Sequence, residues 1–168
     1  MKAFWISIAF AIFFWSSAAS AEYCMVSPEN KTSCIYKINR IPHNSQIIIS
    51  YTQQGWSMMI VVFRDEFAII EGDSRVETKH GEEQTIKYVS TRRDMVSGKM
   101  MEAALYMVTE PQLREWANAS GKIRFYLAAT ALKKGKEVEV EVAAKNFADV
   151  DAYIAETKTV LADLFEEK

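Results

Sequence analysis

The side chains here that could carry chemistry are two cysteines, a scatter of methionines, two histidines and one arginine pair. Cys24 and Cys34 enclose the stretch MVSPENKTS. That spacing is not the C-x-x-C of a redox motif. Two thiolates with no histidine beside them also make a poor zinc site. A lipid anchor needs small residues directly before its cysteine, and here Glu22 and Tyr23 stand there. The reading that remains is a structural disulfide, with Pro28 and polar turn formers folding the loop back. Closing so short a loop stabilises by roughly 2.5–3 kcal/mol in the chain-entropy model.

Methionine thioethers are soft ligands suited to Cu(I). Met95, Met100 and Met101 flank a Ser97-Gly98 turn, and with His80 they form the candidate copper set, although no Met-x-x-Met cluster is present. Met58, Met59 and Met107 lie inside apolar runs and read as core filling. Arg92 and Arg93, in Thr91-Arg92-Arg93-Asp94, are the candidate binding pair. Two guanidinium groups can grip a carboxylate or phosphate, but such a patch is more often a solvated turn.

A hydrolase would need a histidine near a nucleophile and an orienting acid. His43 and His80 are the only histidines, and both sit among turn formers. The chain has no G-x-S-x-G, H-E-x-x-H or glycine-rich phosphate loop. No catalytic residue is assigned and no cofactor is implied. Trp56 and Trp116 could anchor a partner, but their faces read as core. Sequons occur at Asn30 and Asn118 and matter only in a glycosylating host.

The first segment fixes the expected compartment. Lys2, an apolar run over residues 4–15 and the A-x-A of Ala19-Ser20-Ala21 have the layout of a secretory leader cleaved after Ala21. The apolar run falls short of the roughly 20 residues that span a bilayer. Residues 22–168 then form one domain with no later apolar run of bilayer length. The whole chain holds 20 Lys and Arg against 22 Asp and Glu. That mildly acidic balance gives no support for nucleic-acid binding, which needs a basic stripe.

The elements that must position these side chains read mainly as strands. Residues 46–51 (QIIISY) and 56–63 (WSMMIVVF) are strands about a Gln53-Gln54-Gly55 turn, the second buried on both faces. Residues 67–70 are expected to form a tight hairpin with the second. Residues 75–80 and 84–90 read as exposed strands, and residues 102–108 (EAALYMV) as another. Thr109-Glu110-Pro111-Gln112 is a capping box that opens a short helix, with Leu113, Trp116 and Ala117 on one face. Gly121 is its expected C-terminal cap. Residues 122–129 and 137–143 form a hairpin, with Val138, Val140 and Val142 on one face and Glu137, Glu139 and Glu141 on the other.

Asn146 is the expected cap of a last helix of about five turns, striped by Phe147, Val150, Ile154, Thr157, Leu161 and Leu164, with Val160 and Phe165 widening it. The stripe is expected to cover the valine face. The expected fold is therefore α+β: an antiparallel sheet or small sandwich, one short helix, and a long C-terminal amphipathic helix packed on the sheet. The expected function is that of a non-enzymatic binding protein of the bacterial periplasm or envelope with a protein partner. Copper handling by the turn methionines and a small periplasmic hydrolase are the alternatives.

Overall fold

A computed structural model describes residues 23–26, 32–39, 41, 45–79, 83–131 and 137–162. The leader, His43, His80, Asn30, Leu164 and Phe165 lie outside the described residues.

Nine strands dominate the described residues: β1 (Cys24–Val26), β2 (Thr32–Ile38), β3 (Gln46–Thr52), β4 (Gly55–Arg64), β5 (Ser74–Thr78), β6 (Gln84–Val96), β7 (Lys99–Met107), β8 (Lys122–Ala128) and β9 (Glu137–Ala143). All pair antiparallel, in the order β1-β2-β3-β4-β7-β6-β5-β8-β9. The helices are short: α1 (Glu110–Asn118) and α2 (Val150–Val160). The fold is thus mostly antiparallel β, and the expected α+β class with a long C-terminal helix is corrected.

The reason lies at the end of β9. The Ala144 N–H donates to the Gly121 carbonyl at 2.9 Å, so the chain is still held against the start of β8 there. A 3₁₀ turn (Ala144–Phe147) then redirects it. Phe147 and Asn146 are spent on that turn, and α2 starts later, after Asp149. The three-and-four spacing of apolar residues marks a buried face but cannot tell a continuous helix from a turn followed by a helix.

Helix α2 also covers a different surface from the one expected. It packs against β1, β2 and α1. Tyr153 sits at its centre, 5.6 Å from both the Tyr23 and Tyr36 rings and 5.7 Å from Trp56. Its buried hydroxyl lies 3.0 Å from the Cys34 carbonyl oxygen and 3.1 Å from that of Ile49, and its proton serves the two. Burial raises the Tyr153 pKa well above the ordinary phenol value.

Glu156, one turn further, accepts the Tyr23 and Cys24 N–H groups at 2.9 and 3.0 Å. Cys24 and Cys34 are direct partners across β1 and β2, with Cα atoms 4.0 Å apart, and they form the disulfide. The stripe of α2 therefore closes the disulfide-bonded hairpin rather than the valine face.

The remaining elements follow their sequence signals more closely. Strands β3 and β4 meet through a two-residue Gln53-Gln54 turn with Thr52 opposite Gly55. Trp56, Ser57, Met58, Ile60, Val61 and Val62 are buried, so β4 presents apolar side chains on both faces. Residues 67–70 do not pair with β4. They run past it, and Ile70 bridges Ala129 beyond β8. Helix α1 carries the full capping box: the Gln112 N–H donates to Thr109 Oγ1, and the Thr109 N–H donates to Gln112 Oε1. Leu113 and Trp116 are buried, as is Trp56. Gly121 is not the cap. Ala119 holds that position, and Gly121, at φ 78°, turns the chain into β8.

Strand β6 explains how one sheet encloses a core. It pairs with β7 over most of its length, but with β5 only over residues 84–86. Beyond that point β5, β8 and β9 depart from it. Buried side chains from both halves, among them Ile47, Ile60, Ile123, Phe125 and Val140, form one cluster.

Candidate functional site

Most residues singled out by their chemistry fall on one element, the β6–β7 hairpin. Its turn is Ser97-Gly98, at φ 51° and 75°, with Val96 opposite Lys99. Two left-handed residues in a two-residue loop make the turn that matches strand twist, and Ser-Gly tolerates it. Met95 stands opposite Met100, and Asp94 opposite Met101. Side chains alternate along a strand, so Met100 and Met101 point to opposite faces. Met95 and Met100 are brought together, and Met101 is not. Among the described residues, no three His, Cys, Asp or Glu side chains gather as a metal site requires.

The arginine pair is split by the same alternation. Arg92 is exposed and approaches Asp94 at 3.7 Å. Arg93 does grip carboxylates, but they belong to its own chain. Its Nε donates to Glu102 at 3.1 Å, and its Nη2 donates to Glu71 at 3.0 Å and to the Ile70 carbonyl at 3.2 Å. Burial works against the charge on Arg93. The hydrogen bonds that it donates to Glu102 and Glu71 more than offset it, and its pKa is raised.

Glu102 is the residue that sequence reasoning passed over. Its side chain is 1 % exposed, deep in the hairpin face. Besides Arg93 it accepts the Ala68 N–H at 2.6 Å and the Ile70 N–H at 3.0 Å. Thr91 adds a hydroxyl donated to the Ile70 carbonyl at 2.8 Å. One carboxylate thus pins residues 67–71 across the hairpin, where Ile69 is held at φ 55°. A β-branched residue in that region is strained, and it persists only where its surroundings hold it. The available signal was a single acid inside the apolar run EAALYMV.

The other feature is a groove of about 730 Å³ between the end of β4 and the outer edge of β9. Its walls are Ser45 and residues 62–66 on one side and residues 138–141 on the other. The described pairing of β3 with β4 ends at Val61, so, among the described residues, 62–64 are paired on the β7 side alone. Among the described residues β9 pairs only with β8. Two stretches of strand backbone therefore border the groove, each with one side unpaired among the described residues.

Four carboxylates, Asp65, Glu66, Glu139 and Glu141, and one guanidinium, Arg64, line it. Lys99 pairs with Asp65 and lowers its pKa. Lys122 and Arg124 pair with Glu141, and Arg124 also reaches Glu139. Hydrogen bonding from Lys122 lowers the Glu141 pKa, burial opposes it, and Arg124 adds to the lowering. Asp65 and Glu141 therefore stay ionised at neutral pH.

No family model matches the chain, and no curated protein is similar enough to match. Among solved structures, the fold is similar to the crystal structure of invasion associated protein B from Bartonella henselae. The TM-score is 0.52 at 12 % identity, covering 84 % of this chain and 99 % of that one. At that identity the likeness is one of fold, and residue roles do not transfer.

Proposed function

We propose that this chain is an exported, non-enzymatic binding protein of the bacterial periplasm or cell envelope. It takes an extended segment of a protein partner along the β4–β9 groove. The observation that carries this reading is the pair of strand edges bordering one groove, each half-unpaired among the described residues. Unpaired strand backbone recognises an extended chain through its N–H and C=O groups, and flanking side chains select the sequence.

Export rests on the leader layout of residues 1–21 and agrees with the Cys24–Cys34 disulfide, since such bonds persist in oxidising compartments. Among the described residues no helix is long and apolar enough to cross a membrane. The fold likeness to a protein named as invasion associated is compatible with a role at the envelope.

The test is selection of binders from a library of extended peptides, followed by hydrogen exchange on the complex. Bound peptides should slow exchange at residues 62–64 and 138–141. A library that yields no binders, or binders that protect other segments, would remove the reading.

A further inference from the structure

The β6–β7 hairpin offers a second unpaired edge. Strand β6 leaves β5 after residue 86 and continues to Val96. Along residues 89–96 it is paired only with β7 among the described residues. Val89 forms a bulge there, between Tyr88 and Ser90. Val89, Met95 and Val96 are three of the five large apolar side chains exposed among the described residues. Exposed edges of this kind are pairing templates, and proteins usually guard them with charge. The charges here are Arg92 and Asp94, side chains 72 % and 52 % exposed on one face of the strand.

Those charges do not repel an identical edge. Two antiparallel copies of one strand related by a two-fold axis must place some residue opposite itself. Centring on Arg92 opposes two exposed arginines, and centring on Asp94 opposes two aspartates. Centring on Arg93 instead sets Arg92 against Asp94 of the second copy, twice over, with Thr91 against Met95 and Ser90 against Val96. The two Arg93 side chains then face each other, but each already lies on Glu102 and Glu71 of its own chain, which balance its charge. Opposite charges directly across a strand pair stabilise it, and like charges destabilise it.

We propose that the outer edge of β6 pairs antiparallel with the same edge of a second copy, about an axis at Arg93. The contact is small by the standard of stable interfaces, so the dimer forms and dissociates with concentration. The Met95 N–H, now donated to the Asp94 carboxylate at 2.8 Å, is released to the incoming strand.

The experiment is sedimentation velocity over a concentration series on the secreted, oxidised protein. The wild type should move from monomer to dimer, with slowed hydrogen exchange confined to residues 89–96. R92D and D94R should each weaken association by roughly tenfold or more, since both pairs become like-charged. An equimolar mixture of the two variants should dimerise again, as should the double variant R92D/D94R, because each introduced charge meets its opposite. Both positions are exposed, and unchanged circular dichroism will show that the variants fold. A wild type that stays monomeric throughout, or a dimer that ignores both single changes, overturns the proposal. Failure of the mixture and the double variant to recover overturns it equally.

Discussion

Glu102 concentrates more structure than any other single side chain in the hairpin. It accepts two buried backbone amides and one side of the partly exposed Arg93 guanidinium. Leaving a buried donor unsatisfied costs about 1–3 kcal/mol. Glu102→Ala strands two of them and should therefore destabilise the protein by about 2–6 kcal/mol in urea unfolding. Glu102→Gln keeps an acceptor and should lose less. Equal losses for the two would show that a neutral acceptor does not suffice to anchor residues 67–71.

Tyrosine gives a second residue-scale expectation. Burial pushes Tyr106 up to about 12. Tyr36 also rises to about 12, through burial and then the nearby Asp149 carboxylate. A phenol raised in the folded state contributes stability that is full below its unfolded pKa of about 10 and is lost as pH climbs through the folded value. Stability should thus hold to about pH 10 and fall between there and about 12. Absorbance at the phenolate band should show these tyrosines ionising late, together with unfolding. Ionisation of all seven tyrosines near the ordinary value while the fold stays intact would contradict the burial.

At the scale of elements, α2 acts as a closure for the disulfide-bonded hairpin. Ile154 is fully buried, so Ile154→Asp places a carboxylate in the core and should cost more than about 3 kcal/mol. Tyr153→Phe removes a hydroxyl that serves two buried carbonyls and should cost about 1–3 kcal/mol. Reduction of Cys24–Cys34 should cost roughly 2.5–3 kcal/mol on chain entropy. Because Tyr153 and Cys34 touch, reduction and Tyr153→Phe share a region and should not add independently. Strict additivity in calorimetry would argue that α2 and the disulfide hairpin are separate units.

Over the whole molecule, the organising device is the divergence of β5 from β6. It lets one nine-stranded order close over a single core, and it leaves the outer edge of β6 without a strand partner beyond residue 86 among the described residues. The edges that border the groove are those of β9 and the end of β4. These edges differ in their chemistry. The groove carries carboxylates paired with lysine and arginine of their own chain, whereas β6 carries one exposed arginine and one aspartate two residues apart. An extended segment suits the first, and an identical strand suits the second. Peptide capture in the groove should leave the monomer–dimer balance unchanged, which a titration of peptide into the sedimentation experiment would measure.

Local chemistry alone determined much of this protein. The capping box at Thr109, the β3–β4 turn, the alternation of β9 and the Cys24–Cys34 pairing are short-range signals. Each is set by backbone geometry or by residues near one another in the chain, and each was legible. What only the tertiary structure decided is where faces go. The apolar stripe around Ile154 announces burial without naming its partner, because hydrophobic attraction has no direction. Packing sent it to β1 and β2 and cut the helix short with a 3₁₀ turn. Arg92 and Arg93 read as a pair, yet a strand sends neighbours to opposite faces, and only the fold placed Glu102 beneath one of them. The groove and the open edge of β6 depend on which strands meet, a question of long-range pairing that no stretch of the sequence states by itself.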